Sequence, residues 1–228
     1  MGKTIERLAL EKGHQIVLKI DKDNQDELTA ENLQKADVAI EFTQPESAFA
    51  NVTTCLNTGV PVISGTTGWL EHLPKAREIC QHKGGAMLHA TNFSIGVNIF
   101  FALNRYLAKM METQEQYNVQ MEEIHHTQKL DAPSGTAITL AQGILSEISR
   151  KNKWVNKATE DISELPIISK RIDPAPGTHT VTYSSEIDTI TISHEAHSRE
   201  GFALGALTAA EWIVGKQGSF TMQDVLGF

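Results

Sequence analysis

Short apolar runs alternate with amphipathic segments along the first 95 residues. The β-branched, apolar character of buried strands marks residues 14–21, 37–43, 60–68 and 86–94. Apolar residues at helical spacing mark residues 4–13, 28–36, 45–59 and 70–85. Pro45 suits a first helical turn, and Gly59 suits the end of the same helix. Strands separated by helices at this spacing predict βαβ units and a doubly wound parallel α/β sheet.

The pattern changes after residue 94. Residues 95–114 are apolar nearly all round, including Leu103 and Met110, so we expect a buried helix there. The rest predicts a strand at 117–126, a helix at 135–151, an irregular loop at 152–166, two antiparallel strands within 179–198 that turn at Ser185–Glu186, and a helix at 200–215. We therefore expect a dinucleotide-binding domain at 1–95, to which 199–228 return, and an α+β domain at 96–198.

Composition narrows the class of protein. The formal net charge is −8 and no Lys/Arg run is present, which argues against a nucleic-acid partner. No segment approaches the roughly 18 apolar residues needed to span a membrane, and Glu6 and Glu11 interrupt any signal-peptide core. Cys55 and Cys80 lack metal-ligand spacing and suit two buried thiols in a reducing compartment. We expect a cytoplasmic protein.

Small and hydroxylated residues follow the predicted strands of the first domain. In an open α/β sheet, ligands bind at the carboxyl ends of the strands. Asp21 ends the first run, where a dinucleotide fold places the acid that accepts from a ribose hydroxyl. Gly65 and Gly68 would let a ligand approach the backbone, and Thr66 and Thr67 add hydroxyl groups. Each turn alone is as well explained by local geometry, but together they favour a nicotinamide-type cofactor.

The glycine-rich fingerprint of such a domain is incomplete. Gly2 could be the last glycine of G-x-G-x-x-G, but the strand and the earlier glycines do not precede it. Either the fold lacks that strand or the sequence begins late. Next to Asp21, Lys22 could offset the repulsion of a 2′-phosphate, so we expect both NADH and NADPH to be used.

The densest chemistry lies in "EEIHHTQKLDAPSGTA", residues 122–137. His125 and His126 are adjacent, so on a strand they point to opposite faces and cannot easily share a metal ion; we expect no metal. A histidine has an unperturbed pKa of about 6.5, which suits proton donation at neutral pH. Lys129 adds a mobile cation; Asp131 could either orient it or simply solvate the turn.

A helix start follows this lysine. Ser134 is a good N-cap, and Gly135 and Thr136 would present backbone N–H groups to an anion. Arg199, before the last helix, could bind a carboxylate, although a surface arginine is an equal explanation. Lys170 and Arg171 are interpreted as loop charges. Proton donor, cation and helix start together describe a pocket for a carboxylate beside a group that is protonated.

These residues resemble the 4-hydroxy-tetrahydrodipicolinate reductase (dihydrodipicolinate reductase) family. The run "IHHTQKLDAPSGTA" is similar to that family's signature E-x-H-H-x-x-K-x-D-A-P-S-G-T-A. The segments "GTTG", "NFSIGVN" and "SHEAHSREGFALGA" recur in the same order, so the resemblance covers essentially the whole chain. It implies a Rossmann-like, N-terminally truncated parallel sheet plus an α+β domain for substrate binding and oligomerisation.

The resemblance also implies roles. His125 would be the catalytic proton donor and acceptor, and Lys129 a second donor that also holds the substrate. Other substrate contacts would be His126, Ser134, Gly135, Thr136 and Arg199. Cofactor contacts would be Gly2, Asp21, Lys22, Gly65, Thr66, Thr67, Ala90, Thr91, Asn92 and Phe93.

The reaction implied by the resemblance belongs to lysine and diaminopimelate biosynthesis. Water leaves a cyclic dicarboxylate, hydride passes from NADH or NADPH to the ring, and the resulting enamine is protonated. The family is usually tetrameric, so a homotetramer is expected. Two alternatives stay open: a related nicotinamide-dependent reductase of another anion, and a catalytically silent truncated subunit that assembles without binding nucleotide.

Overall fold

Three short apolar strands form the centre of the N-terminal part in the computed structural model, which describes residues 1–228. The strands β1 (Ala39–Glu41), β2 (Val62–Ser64) and β3 (Ala86–His89) pair in parallel. A fourth parallel strand, β9 (Gly218–Phe220), completes the order β1-β2-β3-β9. Its helices are α1 (Gly2–Glu11), α2 (Ala30–Leu33), α3 (Pro45–Asn57), α4 (Leu73–Lys83), α7 (Glu200–Ile213) and α8 (Met222–Leu226).

Successive side chains of β2 and β3 point to opposite faces of this sheet, and helices pack on both faces. Val62 and Met87 pack with buried residues of α3 and α4. Ile63 and Leu88, the next residues along, pack with α1 and α7. Helices on both faces of a parallel sheet confirm the predicted doubly wound class.

A second, mixed sheet follows. Its strands are β4 (Asn118–His125), β5 (Lys153–Val155), β6 (Glu164–Arg171), β7 (Thr178–Ser184) and β8 (Thr189–Glu195), in the order β5-β6-β4-β7-β8. β4 pairs in parallel with β6 and antiparallel with β7, and β7 and β8 form the predicted hairpin. The helices α5 (Ile95–Met111) and α6 (Gly135–Leu145) share one apolar core with β4, β6 and β7.

The chain divides into two compact units. One comprises Met1–Ile95 with Glu200–Phe228, and the other comprises Gly96–Arg199. None of the helices has both the length and the apolar composition that a membrane span requires.

Residues 14–21, predicted as a strand, are irregular. Ile16 and Val17 are 40% and 47% exposed, and no strand pairs with this segment. A strand needs a partner for its backbone groups, and the edge strand β1 bonds only β2. The apolar pattern was therefore not sufficient to form a strand.

The predicted loop at 152–166 is also wrong. It contains β5 and the start of β6, whose Leu165 and Ile167 are fully buried. The polar composition of this stretch predicted a loop, but pairing of β6 with β4 buries its apolar residues. Consequently Lys170 and Arg171 end a strand and are not loop charges.

Helix α5 is less buried than its composition predicted. Val97, Phe100, Leu107 and Met111 face the core, but Leu103 and Met110 are 46% and 49% exposed. Only one side of α5 packs on the second sheet's core. Near the C-terminus, β9 and α8 are elements that the sequence pattern did not predict.

Candidate active site

The register of β4 brings two polar side chains into the interior of the second unit. Glu123 and His125 are two residues apart, so both point to the buried face, and they are 0% and 6% exposed. Ser169 on β6 and His179 on β7 lie directly opposite Glu123 in the two neighbouring ladders. Cross-strand pairing thus builds the cluster from three strands.

The carboxylate of Glu123 is surrounded by donors. The backbone N–H of Ser134 donates to both oxygens at 3.1 Å, and the Ser169 hydroxyl donates to Oε1 at 2.7 Å. His179 Nε2 lies 3.6 Å from Oε2, and Arg171 lies 3.7 Å from Oε1. Burial alone would raise the pKa of Glu123, but the contacts from His179, Ser134 and Ser169 hold it at about 2. Glu123 is therefore a buried anion.

His125 is a neutral imidazole. Its Nδ1 is buried without a hydrogen-bond partner and lies 3.5 Å from Glu123 Oε2. Its Nε2 faces the backbone of Gly177, where an added Cβ would come within 3.1 Å. Burial, then the nearby His179, lowers the pKa of His125 to about 4, with Lys129 and Arg171 acting in the same direction and Glu123 opposing. The ordinary histidine pKa assumed from the sequence does not hold here.

The loop after β4 holds Lys129 next to this imidazole. Lys129 Nζ donates to both carboxylate oxygens of Asp131, at 2.8 and 3.0 Å, and this contact lowers the pKa of Asp131. Arg171 reaches over from β6 and donates to the carbonyls of Lys129 and Asp131, at 3.3 and 2.6 Å. Arg171 is thus a structural cation of the site, fixing the loop that carries Lys129.

Ser134 begins α6 as its N-cap. The Ser134 hydroxyl accepts from the Ala137 N–H at 3.2 Å and lies 3.1 Å from His179 Nε2. Gly135 is exposed and Thr136 is half-buried in the first turn. The N-terminal turn of a helix presents backbone N–H groups and the positive end of the dipole, so this end of α6 suits an anion.

His126 and Arg199 meet at the same side of the second unit. His126 follows the last residue of β4, and its Nε2 lies 3.4 Å from an Arg199 guanidinium nitrogen. These residues are 73 positions apart, and nothing in the sequence pattern indicated that they are in contact. The second unit therefore brings together His125, His126, Lys129, Ser134, Gly135, Thr136 and Arg199, all the predicted catalytic and substrate residues.

The first unit has a cavity of about 390 Å³ at the carboxyl ends of β1 and β2. Its lining comprises Met1, Phe42, Thr43, Gln44, Pro45, Gly65, Thr66 and Thr67. Beneath it the buried carboxylate of Glu41 accepts from the hydroxyls of Thr43, Ser64 and Thr66, the last at 2.8 Å. The Thr66 hydroxyl is therefore used in a structural hydrogen bond, while Thr67 is exposed at the cavity.

The glycines after β2 have structural reasons of their own. A Cβ on Gly65 would lie 2.1 Å from the Phe42 ring, and Gly68 has φ +83° with Pro45 3.1 Å from an added Cβ. Close approach of a ligand, the reason offered from the sequence, is therefore not needed to explain either glycine.

The other predicted cofactor residues do not line this cavity. Gly2 is the exposed first residue of α1, next to the lining residue Met1. Asp21 and Lys22 lie in an exposed turn in which the Lys22 N–H donates to Asp21 at 2.7 Å. The segment Ala90, Thr91, Asn92 and Phe93 follows β3. Phe93 is 2% exposed and packs against Phe42 with its ring tilted by 52° and the centroids 5.6 Å apart. The Phe93 carbonyl faces Gly205, where an added Cβ would lie 1.7 Å away.

Four site residues were missed from the sequence: Glu41, Glu123, Arg171 and His179. Glu123 lies inside the motif at 122–137, and its spacing of two residues from His125 indicates that both side chains point to the same face of the strand. Arg171 and His179 reach the site only through strand register, which no local pattern reveals.

Glu123, His125 and His179 also have the chemistry of a metal triad. One donor atom from each lies within 4.8 Å of the others. However, Glu123 already accepts three hydrogen bonds, and the cations Lys129 and Arg171 act on the same imidazole. Those positive charges oppose a divalent cation, so we interpret the triad as a hydrogen-bonding cluster.

Comparison with known proteins gives concordant matches. Residues 1–93 match the family model "Dihydrodipicolinate reductase, N-terminus", and residues 96–226 match "Dihydrodipicolinate reductase, C-terminus". A 4-hydroxy-tetrahydrodipicolinate reductase of Christiangramia forsetii is 54% identical over 99% of this chain and 93% of its own length. One from Neisseria meningitidis is 34% identical over 97% of this chain and 84% of its own.

A solved structure shares the fold. The dipicolinate-bound dihydrodipicolinate reductase of a Paenisporosarcina species matches with a TM-score of 0.69 and 24% identity, over 91% of this chain and 81% of that one. Both halves of the family model and a relative at 54% identity thus cover the chain nearly end to end. The chain belongs to the dihydrodipicolinate reductase family.

Proposed function

We propose that this chain is an NAD(P)H-dependent reductase that converts 4-hydroxy-tetrahydrodipicolinate to tetrahydrodipicolinate in lysine and diaminopimelate biosynthesis. The observation that carries the proposal is the cluster of His125, Lys129 and the start of α6 within the second unit. A cyclic dicarboxylate needs donors for its carboxylates and a group that delivers a proton to its ring. This cluster supplies both, and the relatives that cover the chain carry the name of that reaction.

The first unit fits a nicotinamide dinucleotide. Its cavity opens at the carboxyl ends of parallel strands, beside the residue that precedes α1, and Thr67 is exposed there with its hydroxyl unused by the fold. We assign cofactor contacts to Gly2, Gly65, Thr66, Thr67 and the segment 90–93. When bound, the nicotinamide supplies a hydride to the substrate ring.

Asp21 and Lys22 set the nucleotide preference in this proposal. The Asp21 carboxylate accepts from a ribose hydroxyl, and Lys22 offers a charge to a 2′-phosphate. Their exposed turn leaves both side chains accessible. We therefore expect NADH and NADPH both to serve, and complete rejection of NADPH would remove this role from Lys22.

The substrate carboxylates are held by the second unit. The first turn of α6, from Ser134 to Thr136, binds one carboxylate through its N–H groups and dipole. Lys129 supplies an ammonium, already oriented by Asp131 at 2.8 Å. Arg199 supplies a second cation at the edge of the site, and its guanidinium lies 3.4 Å from His126 Nε2.

Protonation of the ring is assigned to His125 and Lys129. With a pKa of about 4, His125 is neutral near pH 7 before substrate binds. Two substrate carboxylates favour the imidazolium, so we expect His125 to take up a proton on binding and then pass it to the ring. Lys129 is the second donor, and it also neutralises substrate charge.

The wider organisation is part of the same proposal. Residues 1–95 with 199–228 bind the dinucleotide, and residues 96–198 bind substrate and mediate oligomerisation. A homotetramer is supported by the edge strand β8, whose backbone edge and Ile190, 39% exposed, are open to pairing. The two free, buried cysteines Cys55 and Cys80 are consistent with a reducing cytoplasm.

The deciding experiment measures turnover of 4-hydroxy-tetrahydrodipicolinate with NADH and NADPH. In His125→Gln, kcat should fall by about 10²-fold because a proton donor is lost, while NADH binds as in the wild type. The exposed His82→Gln on α4 is the matched control and should keep full turnover.

Each alternative predicts a different result. A silent subunit gives no NADH binding in titration calorimetry. A related reductase binds NADH but turns over another anion from a substrate panel. Normal turnover by His125→Gln would remove that residue from the chemistry.

A further inference from the structure

One buried carboxylate contacts both the start of α6 and the imidazole of His125. Glu123 accepts from the Ser134 N–H at 3.1 Å through each oxygen, which fixes the residue that begins α6. Its Oε2 also lies 3.5 Å from His125 Nδ1. Glu123 thus joins the group that starts the anion-binding helix to the imidazole that handles the proton.

The geometry defines where the proton of neutral His125 resides. A carboxylate can only accept hydrogen bonds. If Nδ1 carried the lone pair, two electron-rich atoms would face each other in the interior without any donor between them. His125 Nδ1 is buried and has no other partner. The lower-energy tautomer therefore has its hydrogen on Nδ1, directed at Glu123, and the lone pair on Nε2.

Further contacts at both carboxylate oxygens hold Glu123 in one orientation. Ser169 donates to Oε1 at 2.7 Å, and His179 Nε2 lies 3.6 Å from Oε2 while it also contacts the Ser134 hydroxyl at 3.1 Å. These partners come from β6, β7 and the start of α6, so the carboxylate is held from three elements. A group held this way can in turn orient a neighbour.

Glu123 also opposes the positive groups that act on His125. Lys129 from the loop after β4, Arg171 from the end of β6, and His179 from β7 all oppose a positive imidazole. His194 on β8 interacts with His179 behind it. When His125 gains a proton, the adjacent Glu123 carboxylate supplies a compensating charge.

We infer that Glu123 is the positioning residue of this site: it fixes the Nδ1–H tautomer of His125, leaves Nε2 as the atom that exchanges the proton, and stabilises the imidazolium once formed. The inference rests on the proposed function for the role of His125 in turnover. The tautomer itself can be tested without any substrate.

The first test is the tautomer, measured by two-bond ¹H–¹⁵N correlation of histidine-labelled protein above pH 6. In the wild type, His125 should show the Nδ1–H pattern. In Glu123→Gln, the Ser134 N–H still needs the side-chain oxygen, so the amide N–H₂ faces His125 and donates to Nδ1. The hydrogen should then move to Nε2. Ser169→Ala removes a donor to Glu123 but touches neither histidine, and it should keep Nδ1–H.

The second test separates positioning from a merely structural effect. In Glu123→Gln, kcat should fall by about 10²-fold or more, as when a carboxylate that sets a histidine tautomer is made neutral. Affinity for the probe dipicolinate should stay within about threefold, because α6 and Lys129 are retained. Glu123→Asp restores the charge and should recover part of kcat and the Nδ1–H signal.

The outcomes are distinct. An Nε2–H wild-type His125, or an unchanged tautomer and kcat in Glu123→Gln, would overturn the inference even if the reductase activity is present. If Glu123→Gln does not fold, the wild-type tautomer and Glu123→Asp still decide. Absence of reductase activity in the wild type would contradict the proposed function and leave the tautomer result standing.

Discussion

A buried carboxylate beside a neutral imidazole makes the second unit sensitive to acid. His125 has its pKa lowered from 6.5 to about 4 by burial and by His179, and Glu123 has its pKa held at about 2 against 4.5. In both cases the unfolded chain binds the proton at a higher pH than the folded one. Stability is therefore complete above pH 6.5 and is lost as pH falls, first through His125 and then through Glu123.

This linkage predicts a pH-dependent free energy of unfolding. Between pH 6.5 and 4, His125 alone should remove about 3 kcal/mol from the wild type, at about 1.36 kcal/mol per pH unit over the pKa difference. The free energy of unfolding of His125→Gln should fall by about 3 kcal/mol less than that of the wild type over the same pH interval. Urea titrations of both proteins at several pH values measure the difference. Parallel curves from pH 6.5 to 4 would show that His125 titrates normally in the folded state.

At the level of elements, the start of α6 combines a stability role and a binding role in one residue. Ser134 caps the helix through its hydroxyl, at 3.2 Å from the Ala137 N–H, and anchors it through its own N–H on Glu123. The cap could be predicted from the sequence, because Ser before Gly-Thr-Ala is a local signal. The anchor could not, because Glu123 becomes an inward residue only once β4 is paired between β6 and β7.

Ser134→Ala tests these two roles separately. Loss of the capping hydroxyl should lower the free energy of unfolding by about 1 kcal/mol, while the N–H contact with Glu123 remains. Dipicolinate affinity should then change little, because backbone N–H groups hold the anion. Thr29→Ala, at the N-cap of α2 in the first unit, removes a comparable contact of 3.2 Å and is the matched control. A large loss of dipicolinate affinity in Ser134→Ala alone would show that the hydroxyl binds the substrate.

Elements that pair over long sequence distances were the least predictable. The start of β6 lies in a polar stretch that predicted a loop, although its register with β4 places Arg171 opposite His125. Residues 14–21 show the converse, since a strand-like pattern without a partner stays irregular. The longer helices, the hairpin β7–β8 and the strands β1 to β3 were predicted, because each segment carries its own apolar periodicity even where, as in β1 to β3, its partners are distant in sequence.

At the level of the whole molecule, the two compact units divide the predicted site residues between them. All the predicted catalytic and substrate residues lie in Gly96–Arg199, and all the predicted cofactor residues lie in Met1–Ile95. The sequence motif at 122–137 could reveal most of the substrate site because its chemistry is contiguous. The cofactor site is spread over several strand ends, where Gly65 and Thr66 also have packing roles that local sequence cannot separate from binding.

This division predicts that nucleotide and dicarboxylate affinities can be changed independently. Thr67→Val removes an exposed hydroxyl at the cavity of the first unit, so NADH should bind about 3- to 10-fold more weakly, the value of one hydrogen bond, with dipicolinate affinity unchanged. Lys129→Gln removes a charge in the second unit, so dipicolinate should bind about 10- to 100-fold more weakly, with NADH affinity unchanged.

Thr66→Val supplies the internal comparison for this pair. Its hydroxyl donates to buried Glu41 at 2.8 Å, so it should lower stability as well as NADH affinity, whereas Thr67→Val should leave the thermal midpoint in place. Calorimetric titration of NADH and of dipicolinate against the wild type and the three variants measures these affinities. If Thr67→Val weakens dipicolinate, or if Lys129→Gln weakens NADH to the same degree, the two ligands do not have separate sites. That result would contradict the expectation that each unit, with its own hydrophobic core, binds its own ligand.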